Sequence, residues 1–137
     1  MSRRLIIALA IAACVAWVSC SRPLRSESYV PNDGSGSYVF DLDMSDSLCT
    51  YNLYFFASLR HGETIAGFPV RVYLTAPGGQ EYAESVFYDL GGGATKPYRR
   101  GLTPVEYGVW RLELKTDAAA LYGLGLICER EYGDGTR

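Results

Sequence analysis

From residue 37 onward, hydrophobic and polar side chains alternate with a period of two, in runs short enough to be strands. In SYVFDLDM, Tyr38, Phe40 and Leu42 fall on one side, with Val39, Asp41 and Asp43 on the other. CTYNLYFFASLRH repeats the pattern: Tyr51, Leu53, Phe55, Ala57 and Leu59 are expected inward, Asn52, Tyr54, Phe56, Ser58 and Arg60 outward. FPVRVYLTAP places Val70, Val72 and Leu74 opposite Arg71, Tyr73 and Thr75, and EYGVWRLELKT sets Trp110, Leu112 and Leu114 against Arg111, Glu113 and Lys115. Leu124, Leu126 and Cys128 continue the rule, and EYAESVFYDL is a sixth run whose inward face is ambiguous. Pro77-Gly78-Gly79, Gly91-Gly92-Gly93 and Thr103-Pro104 punctuate the runs as turns. Only TDAAALYG has the composition of a helical turn. The expectation is an all-β, antiparallel, jelly-roll-like β-sandwich of about six to eight strands.

The N-terminus has a different pattern. Arg3 and Arg4 precede an almost unbroken apolar run, Leu5 to Val18, which ends at Ser19-Cys20-Ser21-Arg22-Pro23. This is the layout of a bacterial export signal, and the run is short of the roughly 20 residues a transmembrane helix needs. The segment also resembles the lipobox of bacterial lipoproteins, in which a small residue precedes a cysteine that is acylated. Cys20 is preferred over Cys14, because processing at Cys14 would leave Val15-Ala16-Trp17-Val18 as an apolar tail. Lipidation at Cys20 would hold the protein to a membrane. The organisation read from the sequence is a signal peptide at 1–19, a lipidated flexible tether at 20–36, rich in Ser, Pro, Asn, Asp and Gly, a sandwich domain at 37–132 and a disordered tail at 133–137.

Processing at this point removes Arg3 and Arg4 and no acid, leaving eleven basic side chains against fifteen acidic ones, a net charge of −4. That balance argues against nucleic acid as a partner. Cys49 opens one predicted strand and Cys128 closes another, so a disulfide between them is possible in an exported protein; two separately buried thiols are the alternative.

Candidate chemistry is sparse. His61 is the only histidine, and no cysteine or serine nucleophile motif accompanies it. Asp41, Asp43 and Asp46 in DLDMSD resemble the start of a calcium loop, but an EF-hand needs a glycine and a glutamate where Asp46 and Asn52 stand. They read instead as acids on a solvated strand edge. GGGATKPYRRG reads as a mobile basic loop carrying Lys96, Arg99 and Arg100. No catalytic residue, metal or cofactor is expected, and the protein is read as a non-enzyme. Tyr54, Phe56 and Tyr73 are aromatics that alternation directs away from the core, which makes them candidates for partner binding; cross-strand pairing that merely stabilises the sheet is the competing explanation.

Tyr51-Asn52-Leu53-Tyr54 followed by Leu59-Arg60-His61 resembles the Y-N-L-[FY] and [IL]-R-[NH] signature of the gliding-motility lipoprotein family GldH of Bacteroidetes. VFDLDMSDS before this signature and FYDL, YGVWRLELK and LYGLGLICERE after it stand in that family's order. The resemblance spans about Tyr38 to Glu131. It implies an outer-membrane lipoprotein, lipid-anchored on the periplasmic face and linked to gliding or type IX secretion; together with the outward aromatics, the leading reading is an accessory lipoprotein that binds another envelope protein through one sheet face. The resemblance brings no enzymatic residues. A glycan-binding sandwich lipoprotein is the alternative function, because exposed aromatic rings stack on sugars.

Overall fold

The computed structural model describes residues 24–133. The expected signal peptide, the lipidation site Cys20 and all but the first residue of the expected tail lie outside that range. Eight strands run in chain order: β1 (Arg25–Pro31), β2 (Ser37–Met44), β3 (Cys49–Leu59), β4 (Gly67–Thr75), β5 (Glu81–Asp89), β6 (Thr95–Leu102), β7 (Gly108–Lys115) and β8 (Leu121–Tyr132). They form two four-stranded antiparallel sheets, a front sheet of order β1-β8-β3-β6 and a back sheet of order β2-β7-β4-β5. Every connection except the β4–β5 hairpin crosses from one sheet to the other. That is the double-sheet jelly roll, and the fold expectation is met.

The alternation explains which faces meet. Tyr38, Phe40, Leu42 and Met44 of β2, Tyr51, Leu53 and Phe55 of β3, and Leu112 and Leu114 of β7 are all buried between the sheets, as are Leu124, Leu126 and Cys128 of β8. A period of two turns their neighbours to the outer faces of the sheets. The ambiguous sixth run is resolved by its register with β4. Phe68 pairs with Tyr88, Val70 with Val86 and Val72 with Glu84, so Tyr88, Val86 and Glu84 face inward, while Phe87 is 66% exposed. Tyr88 ties the layers together: its hydroxyl reaches the carbonyl of Phe55 on β3 at 2.9 Å and also meets the carbonyl of Ala94.

Three expectations are corrected. The chain at 25–31 is a strand and not a tether: β1 pairs with β8 from Arg25↔Glu129 to Pro31↔Gly123. It is an edge strand, exposed along its length apart from a half-buried Val30. Its order therefore comes from the backbone ladder, which leaves no apolar pattern to read. The basic loop is likewise β6, an edge strand paired with β3. Pro97 is tolerated there because an edge strand can forgo one ladder N–H, and Tyr98 fixes the strand by stacking on Phe55 with centroids 4.6 Å apart. In TDAAALYG, residues 116–120 form a loop with no helix and Leu121 opens β8.

The register also separates the two alternatives for the cysteines. Cys49 and Cys128 do lie on neighbouring antiparallel strands, but Cys49 pairs with Tyr132 while Cys128 pairs with Leu53. β8 runs four residues beyond Cys128, which separates the two by about 13 Å along the strand; a disulfide requires Cα atoms within about 7 Å. Both are free, buried thiols. Burial pushes the Cys128 thiol up to about 11, with Arg130 opposing the shift.

The registers also sort the loops. Residues 32–36, 60–66, 90–94 and 116–120 gather at one end, and 45–48, 76–80 and 103–107 at the other, beside the start of β1 and the end of β8. At this second end Asp46 organises the β2–β3 crossing. Its carbonyl accepts from the Tyr51 hydroxyl at 2.8 Å, and its carboxylate accepts from the Tyr132 hydroxyl at 2.6 Å and from the Leu48 N–H at 2.9 Å. The acids of DLDMSD therefore do not converge: Asp41 and Asp43 lie on the outer face of β2, opposite Arg111 and Val109, and Asp46 serves the loop.

Candidate binding face

The outer face of the front sheet carries a patch assembled from three strands. Register sets its rows. Tyr29 of β1, Gly125 of β8 and Phe56 of β3 lie side by side, and in the next row come Glu27, Ile127 and Tyr54, with Pro97 of β6 beyond Tyr54. The glycines explain how the rings lie. A Cβ at Gly125 would fall 2.0 Å from the Phe56 ring, and one at Gly123 would fall 2.2 Å from the Tyr29 hydroxyl oxygen. The two rings thus rest on the backbone of β8, in space that any other residue would fill. Their planes are within 15° and their centroids 6.0 Å apart. The Tyr29 hydroxyl is held at 2.7 Å by Ser58 Oγ.

Ile127 completes the centre. It points outward yet is only 6% exposed, flanked by Glu27 and Tyr54. Around this apolar centre runs a polar rim. Arg25 bridges Glu27 at 2.7 Å and Glu129 at 3.3 Å. Asn52 donates to Glu131 at 3.1 Å and accepts from the Gly101 N–H at 2.8 Å, tying β8, β3 and β6 together. The Arg100 guanidinium lies over the Tyr54 ring, 5.7 Å from its centroid. The ion pairs are exposed and contribute little to stability; they mark the boundary of the patch.

The structure brings together two of the three aromatics named from the sequence and separates the third. Tyr54 and Phe56 share the front face. Tyr73 lies on the outer face of the back sheet, on the opposite side of the molecule, between Glu113 and Ala83, with the Lys115 ammonium 5.2 Å from its ring centroid. The cause is the β3–β4 crossing: successive strands belong to different sheets, so outward on β3 and outward on β4 are opposite directions. All three are only half-buried. Sequence reasoning missed Tyr29, because its segment was read as a tether, and Ile127, because an outward isoleucine carries no signal of its own. Gly123 and Gly125 in the predicted last strand were the available hint, since strand glycines often mark a close approach.

His61 is exposed in the 60–66 loop. Among the described residues no three His, Cys, Asp or Glu side chains gather closely enough to hold a metal, and no helix is long and apolar enough to cross a membrane. No protein-family profile matches the chain, and no curated protein matches it.

Proposed function

We propose that the protein is a non-catalytic binding module of the bacterial envelope, anchored to the outer membrane through an acylated Cys20, that docks another envelope protein on the front-sheet face. The observation that supports this reading is the makeup of the face. An apolar centre of Tyr29, Tyr54, Phe56 and Ile127 surrounded by Arg25, Glu27, Glu129 and Arg100 has the anatomy of a protein interface, in which aromatic anchors sit inside a polar rim. The resemblance to the gliding-motility lipoproteins adds a setting, the periplasmic face of the outer membrane and a link to gliding or type IX secretion.

The test is site-directed photo-crosslinking in intact envelopes, with the photoreactive residue placed at position 54 and, separately, at position 73. The same discrete adduct from position 54 and none from position 73 is the expected result. An adduct from position 73 alone, or none from either, would overturn the docking face. The anchor is tested separately by Cys20→Ser, which should move the protein from the membrane to the soluble fraction.

A second reading has its own support. The flat, nearly parallel Tyr29 and Phe56 rings match the way saccharide rings stack on aromatic side chains. Retardation of the protein in gels containing soluble polysaccharide, abolished by Phe56→Ala as well as by Tyr54→Ala beside it, would favour a glycan-binding role.

A further inference from the structure

Edge strands β1 and β2 flank one side of the sandwich, and edge strands β5 and β6 flank the other. Between edge strands β5 and β6 the sheets leave a cavity of about 340 Å³, within the lower part of the size range of ligand pockets, roughly 300–1,000 Å³. Its walls are hydrocarbon: Leu42, Met44, Leu53, Val72, Leu74 and Leu102. Trp110 also faces it, with its indole N–H already donated to the Glu106 carbonyl at 2.8 Å, so it offers the cavity only its ring. Protein interiors rarely leave voids larger than a water molecule. A slot of this composition offers a hydrocarbon occupant van der Waals partners along every wall.

The mouth is polar and differently built. Glu84 faces inward on β5, opposite Val72, and receives the Tyr98 hydroxyl. Arg99 Nη2 donates to both oxygens of the Glu84 carboxylate, at 2.6 and 2.8 Å, and Nη1 donates to the Tyr98 carbonyl at 2.9 Å. A guanidinium carries five N–H groups. These contacts use Nη2 and one N–H of Nη1, which leaves the Nε N–H and the second Nη1 N–H for an oxygen acceptor. Arg99 is 47% exposed, so a ligand can reach it without breaking the pair.

We propose that this slot binds an acyl chain, the hydrocarbon tail lying between the sheets against Trp110 and the carboxylate or ester oxygens accepting from the two free N–H groups of Arg99. The proposal is independent of the front-sheet face, which lies on the outside of the front sheet, whereas the slot lies between the two sheets. Two sources share the chemistry, a free fatty acid and an acyl group esterified in a lipid.

The experiment uses the full chain carrying Trp17→Phe, which leaves Trp110 as its only tryptophan. Dodecanoate and a lysophosphatidylcholine of the same chain length are titrated separately below their micelle concentrations, with Trp110 fluorescence as the readout. Saturable change with dodecanoate alone identifies a free fatty acid, and saturable change with the lysolipid identifies an esterified chain. Change with neither overturns the proposal. Bromine-labelled dodecanoate should quench Trp110 by contact; binding without quenching would place the ligand elsewhere and also overturns it. Leu74→Phe, which fills the slot, should abolish saturation. Arg99→Gln should weaken dodecanoate about tenfold, as expected for hydrogen bonds to a charged group, while leaving dodecanol unchanged. An Arg99→Gln protein that binds dodecanoate as tightly as the parent refutes the assigned head-group contact.

Discussion

Gly125→Ala tests the geometry of the front face directly, because it adds a single methyl group where a ring now lies. The new Cβ would sit 2.0 to 2.5 Å from three atoms of the Phe56 ring, closer than any real contact. The ring is the far end of a half-buried side chain, so it can swing outward. Two terms then oppose each other. Lifting Phe56 off the strand loses its contact with Tyr29, about 0.5–1.5 kcal/mol, together with part of its burial. Replacing a strand glycine by alanine returns about 0.5–1 kcal/mol of backbone entropy. The net cost should stay within about 1 kcal/mol.

Gly123→Ala is the internal control. Its Cβ would meet the Val30 backbone carbonyl at 2.8 Å as well as the Tyr29 ring, and backbone cannot swing aside, so this variant should cost clearly more. Urea unfolding followed by tryptophan fluorescence gives both values, and near-ultraviolet circular dichroism reports the loss of the ordered ring pair. In crosslinking, Gly125→Ala should lose the partner adduct while remaining folded, which separates recognition from stability. Equal destabilisation by the two alanines, or an unchanged near-ultraviolet spectrum for Gly125→Ala, would refute the placement of Phe56 over Gly125.

Tyr88→Phe should cost about 1–1.5 kcal/mol in chemical denaturation: its single O–H is shared between two carbonyls, and the ring keeps its stack on Phe68 at 5.1 Å. A loss as large as that of Tyr88→Ala, expected at about 3–5 kcal/mol, would show that ring packing and not the hydroxyl was disturbed. Cys49 and Cys128 should resist alkylation in the native protein and react once it is unfolded, and reductant should leave the melting temperature unchanged; a cross-linked peptide in a non-reducing digest would contradict the register of β3 and β8. Stability should fall under alkaline conditions. Burial raises Tyr88, Tyr98 and Cys128 above their ordinary values of 10, 10 and 9. The neutral forms therefore favour the fold, a contribution complete below those ordinary values and lost as pH rises through the folded ones. Urea midpoints that stay level beyond pH 10 would refute it.

Period-two alternation determined by itself that β2, β3, β4, β7 and β8 are strands, and which of their residues face the core, because a half-buried strand must write its burial into every second position. Hydropathy could not reveal β1 or β6. Both are edge strands held by a backbone ladder on one side, and such hydrogen bonds require no particular side chains. Register was hidden for a related reason. Whether Cys128 meets Cys49 or Leu53 depends on where β8 ends relative to β3, a slip of four residues that keeps every side chain on the same face and so leaves the alternation unchanged. The candidate face depended most on tertiary structure. That Tyr54 and Phe56 point outward was legible on β3; that they join Tyr29 and Ile127 over two glycines, while Tyr73 faces the opposite way, followed only from the jelly-roll winding that sends consecutive strands to different sheets.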